Sequence, residues 1–267
     1  MKYQKGCVEL AAVRLAAMRL AAVALACGIG CTLEEVDSDA IRTKGLYAEM
    51  LAIAPGSGQT LVRVNLTVGG ASGTRVQLVG DDVLVAETAD AQLQLARRGR
   101  GRYEETLDGE ASREVTVRLE RGAEDDAAQG TALLPEPFAM QLETPSTGGV
   151  DRSTALIVGW QDPSAEDTNM EWSVDGDCIW SDSGVTPDDG VMTLAPEHLQ
   201  VKSTHAGEEC EVRLTFDRAT TGEVDPLFVP GSQFRAVQRR GVTFVSTPGV
   251  GEKNGPEAPV ASAAAEQ

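Results

Sequence analysis

Alternation of apolar and polar residues with a period of two dominates the chain. It is clearest at Cys210–Phe216, where Cys210, Val212, Leu214 and Phe216 interleave with Glu211, Arg213 and Thr215. Successive side chains of a strand point to opposite faces, so this run has one core face and one wet face. The run from Thr60 to Val68 repeats the pattern, with Val62, Val64, Leu66 and Val68 against Leu61, Arg63, Asn65 and Thr67. Around it lie LYAEMLAIA, TRVQLVG, VLVAET, QLQLARR, RYEETL and EVTVRLER, divided by the turns PGSG, GGASG and RGRGR. Short strands at spacings of roughly 8–12 residues, with no helical period between them, predict a sandwich of antiparallel sheets rather than βαβ units. The sequence VQLVGDDVLVA predicts a tight hairpin.

After the acidic break GAEDDAAQ (122–129), Pro135, Pro137 and Pro145 exclude pairing within a central strand and place a domain boundary. A second series follows: TALIVGWQ, NMEWSVDG, CIWS, GVMTLAP, CEVRLTFDRATTG and QFRAVQRRGVTFVS. Trp160, Trp172 and Trp180 all fall here and predict an aromatic core for this half. The expected fold is all-β, with two tandem β-sandwich domains at 43–134 and 138–248. Tryptophans close to a cysteine pair resemble immunoglobulin domains. Trp160 and Trp172 precede both cysteines, however, so the resemblance implies only the two-sheet architecture.

The ends of the chain read differently. Residues 1–31 form a targeting segment: the apolar run Leu20–Cys31 is shorter than the ~20 residues that span a bilayer, and Arg14 and Arg19 interrupt anything longer. From Met18, a second candidate start, a charged MR precedes LAAVALA and small residues that lead to cysteine. This resembles the lipobox of bacterial lipoproteins, which implies lipidation of Cys31, or of Cys27 on the alternative cleavage. Cys31 follows Gly30, and Cys27 follows Ala26, but neither Gly28 nor Ala24 is the leucine the lipobox prefers three residues earlier. The resemblance implies a membrane partner through an N-terminal lipid anchor and, since Thr32 is not aspartate, outer-membrane localisation on the periplasmic or surface side. An ordinary secretory signal is the alternative. Residues 32–42 read as a polar tether and 249–267, rich in Gly, Pro and Ala, as a disordered tail.

Charge narrows the partners. The 267 residues carry a formal −18, and removal of the segment before Cys31 takes four basic residues and one acidic residue, leaving −21. Such a surface excludes a phosphate-binding footprint, so no nucleic-acid partner is expected. Export permits a Cys178–Cys210 disulfide, which closes a loop of about 30 residues and stabilises by about 3–4 kcal/mol. No catalytic, cofactor-binding or metal-ligating residues are assigned. His198 and His205 lack a third ligand at zinc spacing, and no GxSxG, Walker or dinucleotide motif is present. Asp162, Glu166, Asp167, Asp175, Asp177, Asp182, Asp188 and Asp189 lie in three acidic loops, the basis of an alternative reading as a hydrolase with a metal or acid/base site. The arginine turn at Arg97, Arg98, Arg100 and Arg102 reads as a hairpin tip. The sequence favours a non-catalytic binding or structural role, with a protein or polymer as the ligand.

Overall fold

The computed structural model describes residues 35–109, 114–122, 127–143, 149–164 and 168–249. The signal segment with Cys27 and Cys31, residues 32–34, Pro145, Glu166, Asp167 and the tail beyond Gly249 lie outside the described residues.

The described chain is all-β, with four short 3-10 turns and no α-helix. In the first half its strands are β1 (Glu35–Asp37), β2 (Leu46–Ala54), β3 (Gln59–Val68), β4 (Arg75–Gln77), β5 (Val83–Glu87) and β6 (Gln92–Gln94). They continue with β7 (Ala96–Gly99), β8 (Arg102–Asp108), β9 (Glu114–Glu120) and β10 (Ala128–Leu133). In the second half follow β11 (Met140–Leu142), β12 (Val150–Asp151), β13 (Leu156–Trp160), β14 (Asn169–Gly176), β15 (Asp182–Pro187) and β16 (Val191–Leu194). The last are β17 (Cys210–Thr221), β18 (Glu223–Val224) and β19 (Gln233–Thr247).

One 11-stranded sheet runs through both halves in the order β1-β4-β3-β2-β19-β17-β14-β15, with β7, β8 and β12 paired at its sides. Two smaller sheets pack on it: β18-β10-β9-β5-β6 and β11-β13-β16. Each encloses its own hydrophobic core. The first core holds Met50, Val62, Val64, Leu66, Leu84, Val117, Leu119 and Phe234; the second holds Trp160, Met170, Trp172, Val174, Leu214, Phe216 and Phe244. The second sandwich sets three strands against β19-β17-β14-β15, the three-over-four division of immunoglobulin-class sandwiches.

The two cores are not divided by chain position. The β17–β19 ladder is continuous from Cys210↔Ser246 to Thr221↔Arg235. On β19 Phe234 and Ala236 enter the first core and Phe244 the second; all are even-numbered, so both cores lie on one face of one strand. The tip of this hairpin reaches the first sandwich, where β19 pairs in parallel with β2 and β18 pairs with β10. Phe228 completes the core there. Close approach fixes Gly222: a Cβ would stand 2.3 Å from the Thr131 carbonyl oxygen. The residues of 138–248 from Gly222 to Ala236 thus pack with the sandwich begun at residue 43, and the described residues between Glu35 and Gly249 fall in one compact unit.

Two local expectations are corrected. The segment 35–42 is not a free tether. Strand β1 pairs in parallel with β4, Ser38 is buried, and Arg121 Nη2 donates to the Ser38 carbonyl at 2.6 Å and Nη1 to that of Ile41 at 2.8 Å. Arg121 in turn pairs with buried Asp82 at 3.1 Å. Nor do β4 and β5 form a hairpin, since they lie in different sheets. Asp82, drawn inward by Arg121, carries the intervening GDD across between layers.

The free edge of β15 is blunted. The Asp188 N–H donates to the Thr168 carbonyl, so by antiparallel alternation the odd residues of β15 direct their main-chain groups outward. Of these, the Ser183 N–H is taken by the Asp182 carboxylate at 2.8 Å and Pro187 has none, leaving the Val185 N–H. This is how sheets avoid edge-to-edge association.

Candidate functional site

Three groups of the charged residues singled out above are brought to separate places. Asp188 is buried at the junction of the cores. Arg218 Nε donates to its Oδ2 at 2.6 Å and Nη2 to Oδ1 at 2.9 Å, and the Trp160 indole N–H donates to Oδ1 at 2.8 Å. Arg218 also donates to the carbonyls of Glu136 and Asp162, and its guanidinium lies 4.8 Å from the Phe138 ring centroid. Asp162 contributes this carbonyl from a left-handed backbone position, φ 56°. On the other strand of the hairpin, Arg240 donates to the carbonyls of Phe138 and Ala54 and so joins the second half to the first. The Asp188 carboxylate is engaged on both oxygens, and this node is a structural joint.

The arginine turn is likewise occupied. Arg97 pairs with Glu35 at 2.6 Å, Arg98 with Glu105 at 3.2 Å and Arg102 with Glu104 at 2.7 Å. Burial pushes the Glu104 carboxyl up, but hydrogen bonds from Arg63 and Arg102 outweigh it and hold the group below its ordinary range. The basic patch thus lies among its own counter-charges.

The third group surrounds the disulfide. Cys178 and Cys210 are joined, with Cα atoms 5.9 Å apart. Since Gly176 opposes Val212, continuing the register two residues sets Cys178 opposite Cys210: the bridge staples neighbouring strands of one sheet. The main chain then turns outward. Cys178 and Ile179 are buried, whereas Trp180, expected in the aromatic core, is 61% exposed. It is nevertheless firmly held. Ile179 bridges Val201, the Trp180 N–H donates to the Gln200 carbonyl at 2.9 Å, and the Lys202 N–H donates to that of Cys178 at 2.8 Å. The Lys202 ammonium donates to the carbonyls of Gly176 and Asp177 and lies 5.9 Å from the Trp180 ring centroid.

His198 Nδ1 is 2.7 Å from Asp182 Oδ2, and the imidazole meets Trp172 edge-on with centroids 5.0 Å apart. Trp172 fits because Gly184 is opposite; a Cβ there would lie 2.7 Å from the indole. The His198 contact and the Ser183 N–H hold the Asp182 carboxyl below its ordinary range. A depressed folded-state pKa gives stability that is present above the unfolded value and is lost as pH falls through the folded one. Carbon-13 NMR titration of Asp182 is expected to show this low midpoint, and His198→Ala is expected to raise it. An unchanged midpoint in the variant would remove His198 as the cause.

His205 faces Glu208 at 2.8 Å, away from any third ligand, and among the described residues no group of three His, Cys, Asp or Glu is placed to hold a metal. Asp175 stands opposite Arg213 on β17, and Asp189 Oδ1 accepts from the Val191 N–H. Two of the acidic loops meet at Arg218, through the Asp162 carbonyl and the Asp188 carboxylate, but there the carboxylate is paired with arginine and not with a second carboxylate. Sequence reasoning missed Trp180 as a surface residue. The available signal was its place two residues after a bridged cysteine, in a short segment with no alternation of its own.

No family model matches the chain. No curated protein matches it either. Among solved structures it is similar to a two-domain fibronectin type III segment of chicken tenascin, with 9% identity and a TM-score of 0.25 over 75% of this chain and 99% of that one. It is also similar to trypsin-activated α2-macroglobulin from Escherichia coli, at 14% identity and a TM-score of 0.23 over 74% of this chain and 16% of that one. A segment of titin domains gives 10% identity and a TM-score of 0.24 over 76% and 66%. All three likenesses are weak, and none bears on the site.

Proposed function

We propose that this is an exported envelope protein, lipid-anchored through Cys31 at the outer membrane, with a non-catalytic binding role for a protein or polymer ligand. The observation that carries the binding role is Trp180. A large amphipathic ring, exposed yet fixed by a strand bridge, a lysine and an adjacent disulfide, loses little freedom when a ligand covers it. The disulfide fits an oxidising compartment, and the cysteine-ended signal segment supports the anchor. Because β1 begins at Glu35, three residues, Thr32 to Glu34, separate the proposed lipid from the folded body, a span of four Cα–Cα steps. At about 3.6 Å per residue that is a reach of at most about 14 Å, so a Cys31 anchor holds the sandwiches close to the bilayer.

The test uses the intact protein in solubilised envelopes. Trp180→Ala is expected to abolish retention of envelope protein and polymer fractions that the unaltered chain retains, with no change in thermal stability, since the ring is outside both cores. Equal retention by the variant would remove Trp180 from the site. Cys31→Ala is expected to move the protein from the membrane to the soluble fraction. Persistence at the membrane would shift the anchor to Cys27.

A further inference from the structure

The two sulfurs of the disulfide have unlike surroundings. Cys178 is 1% exposed, and Arg152, itself 3% exposed, directs Nη1 at its Sγ from 3.5 Å. Cys210 is partly exposed and lies between exposed Glu209 and Glu211. Arg152 is held in place by its backbone. Strand β12 pairs in parallel with β19 through Val150↔Ser246, the Arg152 N–H donates to the Thr247 carbonyl, and Ser246 is the residue opposite Cys210. Its Nη2 donates to the Glu208 carbonyl, fixing the guanidinium plane next to the bridge.

A guanidinium remains protonated at any working pH. A cation beside a cysteine favours thiolate over thiol, and disulfide exchange is faster when the departing sulfur is the more stable thiolate. We propose that Cys178–Cys210 is a thiol-exchange site for a small thiol, with Cys210 as the attacked sulfur and Arg152 as the positioning residue for the Cys178 leaving group. The thiolate of the small thiol bonds to Cys210 Sγ, the Cys178–Cys210 bond breaks, and its electron pair stays on Cys178 Sγ facing Arg152. A second small thiol then attacks the mixed disulfide, releasing Cys210 as thiolate and the small thiol as its own disulfide. Two small thiols lose two electrons, the protein disulfide gains them, and two protons finish on the protein thiols. Opening the bridge frees one fastening of the Ile179–Trp180 segment. That consequence, but not the exchange, rests on the binding role given to Trp180.

Glutathione is the probe, added to the folded, oxidised protein without any other ligand, so the outcome is independent of the Trp180 test. After acid quenching, mass spectrometry is expected to find the glutathione adduct on Cys210 with Cys178 free. Arg152→Met is expected to slow bridge opening about tenfold, and Arg152→Lys to restore most of the rate, since a charge is retained. An adduct on Cys178, or an Arg152→Met rate equal to that of the unaltered protein, would overturn the proposal. Should Arg152→Met fail to fold, the thiolate absorbance of Cys210→Ser protein against pH decides. A Cys178 midpoint below the ordinary thiol value of about 8.5 supports the role of Arg152, and a midpoint at or above it refutes that role.

Discussion

A fragment ending at Leu134 is expected to remain unfolded, although it contains every strand from β1 to β10. Its core lacks Phe228, Phe234 and Ala236, and both of its sheets lose a strand, β19 beside β2 and β18 beside β10. In the full chain the same dependence is read from Phe234, fully buried between the layers. Phe234→Ala removes a ring from a closed core and should cost about 3–5 kcal/mol. That corresponds to a fall in Tm on the order of 10 °C for a chain of this size. Circular dichroism and denaturant titration check both outcomes. A cooperatively folding 35–134 fragment would show that the hairpin tip merely rests on an already complete sandwich.

Asp188→Ala is expected to be as damaging, for an electrostatic reason. The substitution leaves the Arg218 guanidinium buried at the junction without its carboxylate and deprives the Trp160 indole N–H of its acceptor. Removing one partner of a buried pair typically costs about 3–5 kcal/mol, because the remaining charge has no solvent. Replacing both partners by apolar groups avoids that penalty, so Asp188→Leu combined with Arg218→Met should recover much of the loss. A double-mutant cycle in denaturant measures the difference. A single-variant loss below about 1 kcal/mol would mean that water reaches the guanidinium.

What the sequence made legible was face rather than neighbour. The alternation in Thr60–Val68 and Cys210–Phe216 predicts the buried sides of β3 and β17, and Val62, Val64, Leu66, Val212, Leu214 and Phe216 are buried as read, whereas Cys210 is only partly buried and at the end of β3 Thr67 is buried and Val68 only partly so. The cysteine pair was legible because Cys178 and Cys210 are the two cysteines outside the N-terminal segment. Period-two alternation does not say which core a strand enters, so QFRAVQRRGVTFVS looked like one strand of one domain. It serves two. Strand β1 was invisible for a different reason: Glu35 is held by Arg97, and Ser38 and Ile41 by Arg121 through their carbonyls, contacts that leave no hydrophobic period. Trp180 was assigned to the core because aromatic residues usually are buried, and only the outward turn after the bridged Cys178 places its ring in solvent. Arg152 had no sequence signal, being a single basic residue in a turn whose importance comes from the strand pairing that sets it beside a sulfur.

The unbroken β19 also governs how the molecule carries load. A pull applied along its axis from the C-terminal end is resisted by the rungs to β17 on one side and to β2 on the other. Those rungs lie across the direction of pull and bear it together in shear, whereas a strand lifted sideways gives way one rung at a time. Since the same strand passes both cores, tension entering at one sandwich is delivered directly to the other, with no hinge between them to absorb it. Under the proposed lipid anchor and the proposed ligand at Trp180, β19 would be the strut through which the two attachments pull on each other.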